Sequence, residues 1–190
     1  MPPIAPDAFR TQPVLTGDLT RLEPLGPAHA DALADHLTRL HPDVRRLTGT
    51  HTRFTRRAAL DWASTRPHHH DRADWAVCDP RTRRLIGDCA LIDLSAPDAR
   101  ATYRIALYDT ARLGRGIGTQ TTRLVLDHAF DTTGLHRIDL QVYEFNTRAR
   151  RTYAACGFTE EGRLRDHLYW DGRHHDAILM SALSTDRPRT

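Results

Sequence analysis

Arg112-Leu113-Gly114-Arg115-Gly116-Ile117-Gly118-Thr119 is the stretch that decides the fold. Before it, Tyr103, Ile105 and Leu107 alternate with other residues as a strand does. After it, Ile117, Leu124, Val125 and Ala129 are spaced for one face of a helix from about Gly118 to Phe130. A glycine-rich turn between strand and helix lets backbone N–H groups converge on an anion, and the helix N-terminus adds the positive end of its dipole. The expected ligand is a phosphate or pyrophosphate. No Gly-Lys-Ser/Thr follows, so this is not a P-loop. Thr121 stands where a dinucleotide fingerprint needs its third glycine, so a Rossmann site is poorly matched. Three glycines alone serve a flexible turn equally well.

Working outward, Leu19–Pro24 reads as a short strand. Pro27 opens a helix with Ala28, Ala32, Leu33, Leu37 and Leu40 on one face, which His41-Pro42 ends. A second helix is expected from Arg56 to about Arg66, followed by a loop that contains His68-His69-His70. Trp75 with Val77, then Leu85–Leu94, read as strands joined by the turn Asp79-Pro80-Arg81-Thr82. On the other side, Ile138, Leu140 and Val142 alternate in a strand. Asn146 caps a helix that ends near Ala155, with Gly157 as its terminator. Phe158–Trp170 and Ala177–Leu183 are strands joined at Asp171-Gly172. The order β-α-α-β-β-β-α-β-α-β-β gives an α/β (α+β) fold, a mixed sheet with helices packed on it. The expected domain plan is a flexible leader over 1–11, one domain over 12–184 and a tail over 185–190.

Composition sets the outer limits. The 190 residues suit one domain with a real core. Apolar residues at 39% and charged residues at 27% argue against disorder. No apolar run approaches the roughly 18 residues of a membrane span, and no signal peptide is visible at the start. All 27 fixed positive charges are arginines, scattered along the chain, for a net charge of +3. No basic and aromatic interleaving marks a nucleic-acid surface, so nucleic acid is not an expected partner. Cys78, Cys89 and Cys156 are odd in number and form no CxxC pair, which points to a reducing cytoplasm and to neither disulfides nor zinc. The adjacent histidines lack the further ligands of a tetrahedral site, and no metal is expected.

The loop resembles the acyl-CoA motif of the GNAT (Gcn5-related N-acetyltransferase) superfamily, Gln/Arg-x-x-Gly-x-Gly/Ala, with Leu113 in the first position and Arg112 one residue earlier. A second stretch, Asn146-x-x-Ala149-x-x-x-Tyr153-x-x-x-Gly157-Phe158, is similar to that family's Asn-x-x-Ala…Tyr…Gly-Phe helix. The tail from Glu161-Gly162-Arg163-Leu164 through Asp171-Gly172, Asp176 and Met180 resembles the branch with ribosomal-protein N-terminal and spermidine acetyltransferases. The resemblance covers about residues 12–184. It implies a single-domain fold with a mostly antiparallel sheet, a splayed strand pair and about four helices. It implies acetyl-CoA as co-substrate, a small-molecule or peptide amine as acceptor, and a homodimer.

The resemblance also assigns roles. Leu107 contacts the thioester carbonyl, and the amides from Leu113 through Gly114, Arg115, Gly116, Ile117, Gly118 and Thr119 hold the pyrophosphate. Arg112 and Arg115 neutralise its charge, while Arg148, Arg150 and Arg151 flank the helix face that reaches toward the adenosine phosphate. Asn146 bonds pantetheine, and Tyr153 protonates the leaving thiolate. A phenol with a reference pKa near 10 keeps its proton at neutral pH. Asn146 serves equally as a helix cap, and Cys156 reads as a packed residue. The acceptor must lose a proton, and Ala101-Thr102-Tyr103-Arg104 carries no acid where many relatives have one. Glu144 is the leading candidate base, ahead of Asp93, His167, His174 and His175; a water chain is the alternative. Two other readings compete: a transferase for a specialised metabolite or antibiotic amine or with another acyl donor, and an inactive module that retains the fold.

Overall fold

The computed structural model describes residues 4, 8–10 and 12–186. The rest of the expected leader, and residues 187–190 of the expected tail, lie outside the described residues. Within the leader, Ile4 and Phe9 are buried in the main core.

Eight strands form one sheet: β1 (Leu15–Thr16), β2 (Arg21–Pro24), β3 (Ala73–Cys78), β4 (Leu85–Ser95), β5 (Arg100–Leu107), β6 (Arg137–Tyr143), β7 (Thr159–Trp170) and β8 (Arg173–Leu183). Their order across the sheet is β1-β2-β3-β4-β5-β6-β8-β7. All neighbours run antiparallel except β5 and β6. Five α-helices pack on it: α1 (Ala30–Thr38), α2 (Pro42–Thr48), α3 (Arg56–Thr65), α4 (Ile117–Asp127) and α5 (Thr147–Ala155). Among the described residues, no helix is long and apolar enough to cross a membrane.

Alternation along each strand sends side chains to two different layers. One face carries Trp75, Val77, Cys89, Leu91 and Tyr103 against Val125, Leu126 and Ala129 of the α4 region and Tyr153 of α5. The other carries Ala76, Cys78, Leu85 and Tyr108 against Leu33 of α1 and Ala63 of α3. Caps fix the helix ends. Thr55 Oγ1 accepts from Ala58 N at 3.2 Å to start α3, and Asn146 Oδ1 accepts from Ala149 N at 3.2 Å to start α5. The helix α4 runs on through a wider turn, His128–Thr132, where buried His128 packs edge-on to Trp75.

Two differences from the sequence reading matter. Pro42 does not merely end α1; it opens α2, because a proline's fixed φ and missing N–H suit the first turn of a new helix. Among the described residues there are therefore five α-helices rather than about four. The last strand also starts earlier, at Arg173, since its hairpin pairs through Trp170↔Arg173.

The feature that positions the site is the parallel pair. Strands β5 and β6 are joined only where Arg100–Thr102 meets Arg137–Asp139. Beyond Thr102 they part, while β5 stays paired to β4 as far as Leu107. Tyr108 N donates to Ile86 O at 2.9 Å, toward β4. Backbone groups alternate direction along an antiparallel strand, so those of Ile105 and Leu107 point the other way, into the gap. The approach to β4 is close: a Cβ on Gly87 would collide with the Ala106 carbonyl.

Candidate active site

A cleft of about 960 Å³ opens where the strands part. That volume is at the upper end of the range for small-molecule sites. Its two sides differ in chemistry.

The first side is bounded by β5, the glycine loop and α5. Gly114 and Gly116 have φ of +79° and +82°, a left-handed conformation that glycine adopts without the strain a Cβ brings. They turn the chain so that α4 begins at Ile117 with its N-terminal amides uncapped by any side chain. Gln120 locks the base of this loop, its Oε1 accepting from Leu19 N at 2.7 Å and Thr20 N at 2.9 Å. Leu107, Leu113, Gly114, Gly116, Gly118 and Thr119 all line the cleft. Opposite stand Asn146, Arg148, Arg151 and Tyr153. The Tyr153 ring is buried, edge-on to Tyr103 with centroids 6.4 Å apart and tilted against Phe158 at 5.7 Å. Burial pushes its pKa well above the usual phenol value, with a smaller push from Cys156. Its hydroxyl makes no hydrogen bond with any described residue.

The second side lies under α1, α2 and α3. The segment around α2 reaches across the gap to the β6 end. Arg46 stacks on Phe145 at 4.0 Å, Asn146 Nδ2 donates to Leu47 O at 3.5 Å, and His51 packs on Trp170 at 5.0 Å. Gly49 presses on the Tyr143 hydroxyl so closely that a Cβ would overlap it. The walls are Leu37, Leu40, Phe54 and Trp62. The floor is a layer of buried charge. Asp74 is gripped by Arg72 through Nε and Nη2, both at 2.6 Å. Asp88 accepts from the Tyr108 hydroxyl through Oδ1. Arg104 Nη2 lies 2.7 Å from Asp88 Oδ2 and 3.7 Å from Asp74 Oδ1. The first of these contacts is out of line for a hydrogen bond, and Asp88 Oδ2 has no hydrogen-bond partner among the described residues.

The structure thus brings together Leu107, Leu113, Gly114, Gly116, Gly118, Thr119, Asn146 and Tyr153. Other residues singled out from sequence lie elsewhere. Ile117 is buried in the core. Arg112 is tied to Asp79 at 2.6 Å and Asp109 at 3.3 Å, and Arg115 is exposed; neither lines the cleft. Glu144 also lies outside the cleft. It borders a smaller hollow of about 360 Å³, paired with Arg163 at 3.1 Å and 3.7 Å from His175. The strand end after β6 points it away from the gap. Asp93, His167 and His174 are exposed, and His175 is buried against Phe145 at 4.9 Å. Cys156 Sγ donates to Thr119 O at 3.6 Å, and burial raises its pKa, which suits packing better than nucleophilic attack.

Sequence reading missed Asp88, Arg104 and Trp62. They come from β4, β5 and α3, and no local motif links them. The one grouping at metal-ligand spacing among the described residues is Glu23, His29 and Cys78. Glu23 already pairs with Arg21 at 3.0 Å and Arg83 at 2.5 Å, and burial pushes the Cys78 thiol up to about 11.

A model of the acetyltransferase (GNAT) domain family matches residues 20–159. The spermidine N(1)-acetyltransferase of Vibrio cholerae is 31% identical over 119 residues, which span 62% of this chain and 68% of that one. A Bacillus subtilis protein named as a ribosomal N-acetyltransferase, YdaF, is 36% identical over 73 residues, 38% of this chain and 40% of its own. The crystal structure of spermidine N-acetyltransferase from Vibrio cholerae in complex with CoA and spermine superposes with a TM-score of 0.79. It covers 90% of this chain and 98% of that one at 23% identity, a likeness of fold.

Proposed function

The chain belongs to the acetyltransferase (GNAT) family, whose chemistry is acetyl transfer from acetyl-CoA to an amine, and from that premise we propose that the transfer runs by direct attack in a ternary complex in the cleft. The observation that carries this reading is the parting of β5 from β6, which leaves the backbone of Ile105 and Leu107 unpaired on the gap side. Those groups hydrogen-bond the pantetheine chain as a further strand would, and the Leu107 amide polarises the thioester carbonyl. The amides of the glycine loop and the start of α4 hold the pyrophosphate. Arg148 and Arg151, rather than Arg112, meet the remaining phosphate charge. Asn146 acts chiefly as the cap of α5 and the tether to Leu47.

The amine nitrogen, neutral after giving one proton to solvent, attacks the carbonyl carbon. The Leu107 amide stabilises the oxyanion. As the carbon–sulfur bond breaks, Tyr153 gives its proton to the thiolate. The proton then shed by the nitrogen returns to Tyr153 through solvent, so the enzyme ends as it began. A buried phenol with a raised pKa is protonated across the working range and is matched to the donor role. Glu144 stays a candidate base only through a water path, given its place outside the cleft. A cytoplasmic setting and a homodimer complete the reading; three unpaired thiols support the first and family resemblance the second. The compact domain runs from about residue 12 to 184 in this reading.

The test is direct. Acetyl-CoA should raise the melting temperature by linkage, and amine-dependent thiol release should follow. No thermal shift at saturating acetyl-CoA would refute the cofactor reading. Binding without turnover across a broad amine panel would favour a module that only binds.

A further inference from the structure

We propose that Arg104 seats a carboxylate of the acceptor, and that the acceptor is a small amine carrying that carboxylate on an apolar body rather than a polyamine. This rests on the acetyl-transfer reading above and adds the substrate class to it.

Strand register puts Arg104 on the floor of the cleft. It pairs across the ladder with Ala90, Ala90 pairs with Asp74, and Asp88 pairs with Ala106. Side chains two apart share a face, so Arg104 stands in line with Asp74 and diagonal to Asp88. The two halves of this ion pair differ in access. The Asp74 and Asp88 side chains are 2% and 5% exposed, and Asp88 Oδ2 is sealed beneath Arg104 Nη2. The Arg104 side chain is 35% exposed and lines the cleft. It makes no hydrogen bond with a described residue, yet none of its nitrogens is buried without one. Its N–H groups therefore open into the cleft, and an entering molecule meets guanidinium before carboxylate. Such a planar fork of donors matches a carboxylate, which accepts two parallel bonds from it.

The surroundings set the class. Asp88 is the one carboxylate among the described residues that line the cleft, and it is held by Arg104 and the Tyr108 hydroxyl. Arg72, also in the lining, is held by Asp74. An ammonium at this floor faces guanidinium with no open anion, whether it is the first or a further one. A carboxylate there reverses the sign and leaves the amine free to face Leu107, three residues along β5 or about 10 Å of strand. The walls of Leu37, Leu40, Phe54 and Trp62 suit an apolar body, and the Arg104 guanidinium lies over Trp62 at 5.8 Å. The α2 segment reaching across to Phe145 and Asn146 favours a small molecule over a chain. The polyamines named for the Vibrio cholerae relatives carry no group for this fork.

The test uses matched acceptors on the wild-type protein, followed by thiol release: 4-aminobutyrate with butylamine, 6-aminohexanoate with hexylamine, and 4-(aminomethyl)benzoate with benzylamine, beside spermidine. Within each pair the carboxylate is remote from the nitrogen, so basicity is nearly equal. In at least one pair the carboxylate member should lead in kcat/KM by roughly 10- to 10²-fold, the size of one charge-assisted hydrogen bond, and should exceed spermidine by as much. Arg104→Lys keeps the charge over Asp88 but loses the fork, and should shrink that preference about fivefold. No carboxylate preference in any pair would overturn the assignment. So would spermidine turning over as well as the best carboxylate amine, or acetyl-CoA binding with no turnover of the three carboxylate amines. The tripeptide alanyl-aspartyl-alanine outpacing every small acceptor would overturn the small-molecule class. The wild-type comparison needs no variant, so a folding defect in Arg104→Lys leaves it decisive. Failure of the wild-type protein to bind acetyl-CoA would instead refute the underlying reading.

Discussion

The two sides of the cleft are made of different material. The side beside Gly114–Thr119 is mostly backbone: strand edges of β5, loop amides, and the start of α4. The side under α1–α3 is mostly side chain: Asp88, Arg104 and Trp62 from β4, β5 and α3, and Arg72 from the loop before β3. Backbone recognition tolerates change in residue type as long as the turns form. Side-chain recognition is tied to each residue and can change acceptor class without disturbing the fold. In the reading proposed above, the first side takes the cofactor and the second the acceptor.

The largest effect should come from Tyr153, the side chain on the backbone-built side proposed as the proton donor. Tyr153→Phe should lower kcat by about 10²-fold with acetyl-CoA affinity unchanged, read by steady-state kinetics and calorimetry. The pH profile sharpens this. Because burial raises the Tyr153 pKa, the donor stays protonated through the range where an ordinary phenol ionises. Wild-type kcat should therefore show no alkaline fall up to about pH 10, and a fall centred nearer 9 would point to another donor. Next is the loop itself. Gly116→Val forces a β-branched residue to φ +82° with its Cβ 3.2 Å from Leu19 Cδ1. The strain of about 1–2 kcal/mol should weaken acetyl-CoA binding roughly tenfold. Asn146→Ala removes the cap of α5 and should cost about 1 kcal/mol of stability, a melting-point drop of about 2–4 °C. Smallest is the double change Arg148→Ala with Arg151→Ala. It should raise the acetyl-CoA dissociation constant only about threefold, most visibly at low salt. Should the arginine pair matter more than Gly116, the backbone account of that side is wrong.

These predictions divide along the same line as the sequence reading. The strand–glycine–helix element and the Asn146–Gly157 helix were legible because each is a local pattern whose spacing and cap residues act within a few residues of chain. The splay came from resemblance, and the structure bears it out. The helix α2 was missed because His41-Pro42 carries both meanings, an end and a beginning, and only packing against the β6 end selects the second. Arg112 stands one residue from the loop in sequence, yet Asp79, more than thirty residues away, holds it off the cleft. Glu144 follows the correct strand but faces Arg163 and His175 instead.

The sequence by itself determined the order of elements, the glycine turn between strand and helix and the helix that carries Tyr153, because those depend on φ preferences, caps and apolar period. Only the tertiary structure decided which charges meet in the cleft. Asp88 and Arg104 become neighbours through the antiparallel register of β4 against β5, and Trp62 joins them only when α3 lies on that face. Strand register and helix docking are set by the whole core, and no stretch of chain around any one of those residues carries them.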